Sequence, residues 1–115
     1  MTIAQMRDIL GAKVLTGEDL LTQEVHSACG SDLMSDVLAF VKEQAVLLTG
    51  LVNLQVVRTA EMMDMLCIVF VRGKCPDDAI LALARDSGLV ILSTPLRMYS
   101  ACGKLYAAGL TGPDC

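Results

Sequence analysis

Two cations bracket a glycine in Arg72-Gly73-Lys74, directly after the apolar run Leu66-Cys67-Ile68-Val69-Phe70-Val71. A guanidinium and an ammonium so placed could pair with a phosphate or a carboxylate, the guanidinium through two parallel bonds. Their other use is as solvated loop charge, paired with Asp77 or Asp78 at little gain in stability. A second polar turn, Thr49-Gly50, separates the apolar run ending at Leu48 from a helical pattern that opens at Asn53. Such a turn can offer free helix amides to an anion. Alternatively, Gly50 only permits a tight turn and Thr49 caps locally. Ser93-Thr94 closes a third apolar run, where the two hydroxyls could complete a polar lip or cap the following helix, and capping is the commoner use. Thr49, Gly50, Asn53, Arg72, Gly73, Lys74, Ser93 and Thr94 are therefore the candidate ligand-binding residues. No set of residues demands a reaction.

The thiols are the remaining chemistry. Cys75 precedes a helix start and neighbours Lys74, and both features lower a thiol pKa. Asp77 and Asp78 oppose that field, and His26 is the only histidine in the chain. Cys67 and Cys102 sit on apolar faces and read as inert core residues. Cys29, Cys67, Cys75, Cys102 and Cys115 are odd in number and widely spaced. That is not a secreted disulfide framework, and no Cys-x-x-Cys suggests zinc. No metal or cofactor is expected, and His26 reads as a structural histidine.

Composition narrows the class. At 115 residues with a formal net charge of −4, the chain has the size of one domain and carries no Lys/Arg cluster for nucleic acid. No apolar stretch reaches the roughly 18 residues that span a bilayer, and the first residues lack a signal-peptide order. A cytoplasmic protein with no membrane contact is expected. The chain is 54% hydrophobic but has no Trp and few aromatics, so Leu, Val, Ile, Met and Ala must fill the core.

The elements that position the polar turns follow from periodicity. Ile3, Met6 and Leu10 share a helical face over 3–10, which Gly11 caps. Residues 13–16 form a short strand candidate, and 24–29 a weaker one that Gly30-Ser31-Asp32 ends. A helix is predicted over about 33–43, with Leu33, Val37 and Val41 on its face and Ser31 or Asp32 at its cap. Strands at 44–48, 66–71 and 89–92 show no alternation, so both of their faces are buried. Helices are expected over about 53–64, from Pro76 at a first helical position to Gly88, and from 93–95 to Gly109. Strand–helix units in succession imply a three-layer α/β/α domain with a mainly parallel sheet of about four to five strands over 1–110, followed by a tail at 111–115. Ligands of such sheets gather beyond the carboxyl ends of the strands. Met62, Met63 and Met65 read as packing filler, whereas Tyr99 and Tyr106, if exposed, would suggest a homodimer contact.

Leu-Leu-Thr-Gly (47–50), Phe70-Val71-Arg72-Gly73 with Pro76-Asp77, and the segment from Ala84 to Pro95 resemble the DRTGG domain family. Gly11 to Gly17 and Asp32 to Val37 are similar to the N-terminal part of its stand-alone members. The resemblance implies a layered α/β/α domain like the N-terminal domain of HPr kinase/phosphorylase. Related modules lie within phosphotransacetylases and beside CBS domains in regulated pyrophosphatases, where they act as regulatory or dimerising units. The chain departs from the family where Leu51-Val52 stands in place of an Asp-Arg pair. It also lacks the Gly-x-x-x-x-Gly-Lys-Ser/Thr loop, so no kinase activity carries over. The favoured expectation is a non-catalytic, homodimeric regulatory module that binds a nucleotide or phosphorylated metabolite at the strand ends. The alternatives are a protein-interaction subunit without a small ligand and, last, a thiol enzyme using Cys75.

Overall fold

Unbroken runs of Val, Ile and Leu form strands whose faces both need cover, because branched side chains pack well on a pleated surface. In the computed structural model, which describes residues 1–39 and 44–111, three such runs become β3 (Ala45–Thr49), β4 (Cys67–Phe70) and β5 (Val90–Ser93). Every residue of these three strands is buried. The edges are β1 (Lys13–Thr16) and β2 (Ser27–Gly30), each only partly buried, in the order β1-β5-β4-β3-β2. β2 to β5 run parallel, with Val46 opposite Cys67 and Cys67 opposite Val90. β1 runs antiparallel to β5. The sheet is therefore five-stranded, mixed and mostly parallel.

Side chains alternate across it with period two. Val46, Leu48, Val69 and Leu92 pack against α1 (Ile3–Leu10) and α5 (Met98–Ala107). Leu47, Ile68, Phe70 and Ile91 pack against α2 (Met34–Leu38), α3 (Leu54–Met62) and α4 (Asp78–Asp86). The result is the expected α/β/α layering. Local chemistry fixes the helix starts. Thr2 and Gln5 form a reciprocal capping box on α1, Asn53 accepts from Val56 N–H at 3.0 Å on α3, and Asp77 accepts from Ile80 N–H at 3.0 Å on α4.

Several boundaries differ from the sequence expectation. β2 begins at Ser27, not 24, because Glu24 bridges to Thr2 and Val25 N–H donates to Met1 O at 2.7 Å. Pro76 lies before the α4 cap rather than at a first helical position, since Asp77 supplies the capping carboxylate. The last helix starts at Met98, not 93–95, with Arg97 as an N-cap that makes no side-chain bond. α2 ends at Leu38. The predicted continuation through Val41 to 43, and the tail at 112–115, lie outside the described residues. Among the described residues no helix is long and apolar enough to cross a membrane.

The β1 edge depends on one hydroxyl. The β1–β5 register shifts between Val14 and Thr16. There Thr16 Oγ1, fully buried, donates to Leu89 O at 2.8 Å and accepts from Ile91 N–H at 3.0 Å. Thr16→Val, of similar volume, leaves both backbone groups unpaired and is expected to cost about 1–3 kcal/mol in urea unfolding. Phe70→Ala, which empties a fully buried site, is expected to cost about 3–5 kcal/mol in the same assay.

Candidate functional site

Parallel pairing brings the carboxyl ends of β2, β3, β4 and β5 to one edge. The turns there are Gly30-Ser31-Asp32, Thr49-Gly50, Arg72-Gly73-Lys74 and Ser93-Thr94. Side chains and backbone join them into a rim. Asp32 Oδ1 accepts from Gly50 N–H at 2.7 Å and from the Thr49 hydroxyl at 3.1 Å, tying the end of β2 to the end of β3. Lys74 Nζ donates to Gly50 O at 2.7 Å, tying β3 to the turn after β4. Ser93 Oγ donates to Lys74 O at 2.8 Å, and Gly73 N–H donates to Thr94 O at 2.7 Å, tying that turn to β5.

The turn after β4 is tight. Lys74 N–H donates back to Val71 O at 3.3 Å, and Arg72 and Gly73 lie at φ of 60° and 67°. Two successive left-handed residues make a type I′ turn, in which Gly73 is at ease and Arg72 is not. The Arg72 conformation costs about 1–2 kcal/mol. It is held because Arg72 N–H donates to Leu96 O at 2.7 Å. The guanidinium then lies over Gly50: a Cβ at position 50 would sit 2.9 Å from Arg72 Nη2 and 3.5 Å from Asp32 Oδ1. Glycine at 50 thus opens the room that Arg72 occupies. Arg72 is exposed and takes part in no ion pair among the described residues.

The structure therefore gathers Thr49, Gly50, Arg72, Gly73, Lys74 and Ser93. It sets two of the candidates apart. Asn53 is engaged in the α3 cap, and Thr94 is fully buried with its hydroxyl donating to Leu10 O at 2.7 Å. Neither Ser93 nor Thr94 caps α5, because both hydroxyls bond to other carbonyls. Asp32 is the residue that the sequence reading missed. The pattern offers Ser31 or Asp32 as the α2 cap, but α2 starts at Met34 with Leu33 as its N-cap and no side-chain cap, so the carboxylate is available across the rim.

The remaining chemistry-bearing residues lie elsewhere or are muted. Burial pushes the Cys67 thiol far above its usual range and also raises Cys102. Cys75 is exposed beside the rim, its Sγ 3.8 Å from Gly73 O. His26 precedes β2, at the opposite end of the parallel strands, 3.8 Å from a Glu24 carboxylate oxygen. No thiol–imidazole pair can form between Cys75 and His26. Met62 is exposed and Met65 is buried, so the methionines divide between surface and core. Leu51 and Val52, which replace the family's polar pair, pack half-buried against the α2–α4 side of the core.

The DRTGG domain model matches residues 5–108, nearly the whole chain. The chain belongs to the DRTGG domain family. No curated protein matches it in sequence. A solved structure with the same fold holds the CBS and DRTGG domains of the regulatory region of Clostridium perfringens pyrophosphatase, complexed with its activator, diadenosine tetraphosphate. The match has a TM-score of 0.73 at 14% identity and covers 90% of this chain but 45% of that one. This DRTGG chain thus spans less than half the length of that solved chain, and the likeness concerns the fold alone.

If Asp32 is the clasp between β2 and β3, Asp32→Ala should lower stability by about 1–3 kcal/mol by leaving two donors without their acceptor. Asp32→Asn keeps an acceptor oxygen and should cost less. Urea midpoints of the two variants check this.

Proposed function

We propose that this DRTGG domain is a non-catalytic regulatory module that binds a small anionic metabolite or adenine nucleotide at the carboxyl edge of its sheet. One observation carries the reading. Arg72 is held in a strained left-handed conformation, over a glycine that makes room for it, with its guanidinium in no ion pair among the described residues. Backbone strain that places an unpaired cation at a strand end is a common mark of a binding site. Lys74 stands beside it, with two ammonium hydrogens left after its bond to Gly50 O. The pyrophosphatase regulatory region of the same fold, complexed with a diadenosine activator, makes adenine nucleotides the first ligands to try.

A ligand that binds only the native state raises its stability, by about 2.7 kcal/mol at roughly a hundredfold excess over Kd. In a thermal-shift series with adenine nucleotides and sugar phosphates, at least one should raise the midpoint by several degrees. Arg72→Gly should abolish that response while leaving the unliganded protein as stable or up to about 1 kcal/mol more stable, because glycine relieves the left-handed strain. The absence of a shift with every compound would sink the reading.

A second reading has its own observation. Tyr99 and Tyr106 on α5 are 89% and 62% exposed, and aromatic residues are enriched where protein surfaces meet. In that reading the chain dimerises through α5. Light scattering at micromolar concentration should then give twice the chain mass, and Tyr99→Lys with Tyr106→Lys should return the monomer mass with the fold retained by circular dichroism.

A further inference from the structure

The cations of the rim stand next to hydrocarbon that the fold leaves partly uncovered. Among the described residues three leucines are exposed, and all belong to α2 or to the start of α3. Leu33, the N-cap of α2, is 58% exposed, and Leu54, the first residue of α3, is 36% exposed. Leu38 lies at the far end of α2. A helix that follows a parallel strand starts at the carboxyl end of that strand. Leu33 and Leu54 therefore both lie at the rim, where α2 packs against α3.

The same clasp that seats the guanidinium ties these residues to it. Asp32, the neighbour of Leu33, accepts from Gly50 N–H at 2.7 Å, and Arg72 Nη2 lies 2.9 Å from the Cβ position of residue 50. Leu51 follows Gly50 directly, and Leu51 and Val52 are half-buried, packed on the core beneath. Leu33, Leu51, Val52 and Leu54 thus form an apolar shelf beside the cation. Toward β5 the Arg72 turn is bonded to the Thr94 and Leu96 carbonyls, so that side is closed. The body of an anion held by Arg72 and Lys74 has the shelf to lie on.

Uncovered apolar surface rimmed by charge marks a binding site, and small-molecule sites are lined mostly by apolar side chains with a few charged groups that fix orientation. A sugar phosphate would set hydroxyl groups against the leucines and leave them unsatisfied. A flat, weakly hydrated heterocycle covers the leucines instead. Resting on the ligand-binding reading above, we infer that the ligand of this rim is a nucleotide whose base lies on the leucine shelf, in preference to a sugar phosphate or a bare phosphate. Arg72 and Lys74 take the phosphate, and Leu33 and Leu54 select for the base.

Isothermal titration of the whole chain, without magnesium, compares ligands of like phosphate with and without a base: adenosine monophosphate against ribose 5-phosphate, and adenosine triphosphate against inorganic triphosphate. Wherever a pair binds, the nucleotide should bind more tightly by roughly tenfold or more, which needs burial of only about 55 Å² of apolar surface. Leu33→Ser with Leu54→Gln should bring the gap to about threefold or less by weakening the nucleotide, with the base-free ligand unchanged. Serine is a better N-cap than leucine and glutamine is a good helix former, so the fold is kept, as circular dichroism checks. Leu33→Ser alone should give part of the loss. A base-free ligand that binds as tightly as its nucleotide overturns the inference and leaves the ligand-binding reading standing. So does a gap that is unchanged in the folded variants. Failure of all four compounds to bind overturns the inference together with the reading beneath it.

Discussion

Covering both faces of the central strands with hydrocarbon leaves the sheet nowhere to put polar chemistry except its ends. Each residue of β3, β4 and β5 is buried, and helices lie on both sides. A buried polar group must find a partner or cost free energy. Thr49, Ser93 and Thr94 stand at the last positions of these strands or just beyond them, and each hydroxyl is bonded to a neighbour. The rim is thus a consequence of the core. Where the apolar runs stop, the backbone turns need acceptors and donors, and residues from adjacent strands supply them to one another.

The rim is one place where the chain departs from relaxed geometry; Gln44 and Asp64, before β3 and β4, are others. Arginine in a left-handed turn is unfavourable on its own. It persists because the bonds from Arg72 and Gly73 N–H to Leu96 O and Thr94 O lock the turn against the segment leading to α5. Lys74 reaches over Gly50 from the same turn. The backbone of the turn is therefore defined from three sides. Asn, Asp or Gly would suit the backbone better at 72.

The sequence made the architecture readable because its strongest signals were long and local. Leu66 to Val71 has no alternation and reads as a strand covered twice, and Asn53, which opens α3, lies within one helical turn of the donor it caps. What stayed hidden depends on partners distant in the chain. Asp32 bonds to residues 17 and 18 positions away, and its local alternative, capping α2, is what an aspartate before a helical pattern ordinarily does. Thr94 and Pro95 look like a helix start, but the Thr94 hydroxyl is drawn to Leu10 O, 84 residues earlier, and the helix begins later. The direction of β1 was equally out of view, since four residues with one register shift carry no sign of parallel or antiparallel pairing. Arg72, Gly73 and Lys74 were legible as chemistry because both cations fall in one turn. Their arrangement over Gly50 was not, because the left-handed angle at Arg72 cannot be foreseen from an arginine.

Topology explains why the exposed cation stands there. From β2 to β5 the strands step across the sheet in one direction, and α2, α3 and α4 all lie on one face. After β5 the chain turns instead to α5 on the other face. The loops leaving β4 and β5 therefore diverge, and adjacent strands whose loops part to opposite faces are where open sheets form a ligand crevice. In this chain the crevice is occupied by its own turn. Gly73 N–H to Thr94 O, Arg72 N–H to Leu96 O and Ser93 Oγ to Lys74 O bridge the gap between the two loops. With the cleft closed by backbone, the Arg72 side chain is displaced sideways, across the end of β3 and onto Gly50. The edge of the sheet between β4 and β5 is thus closed by backbone, and the side chain of Arg72 projects from it over the end of β3.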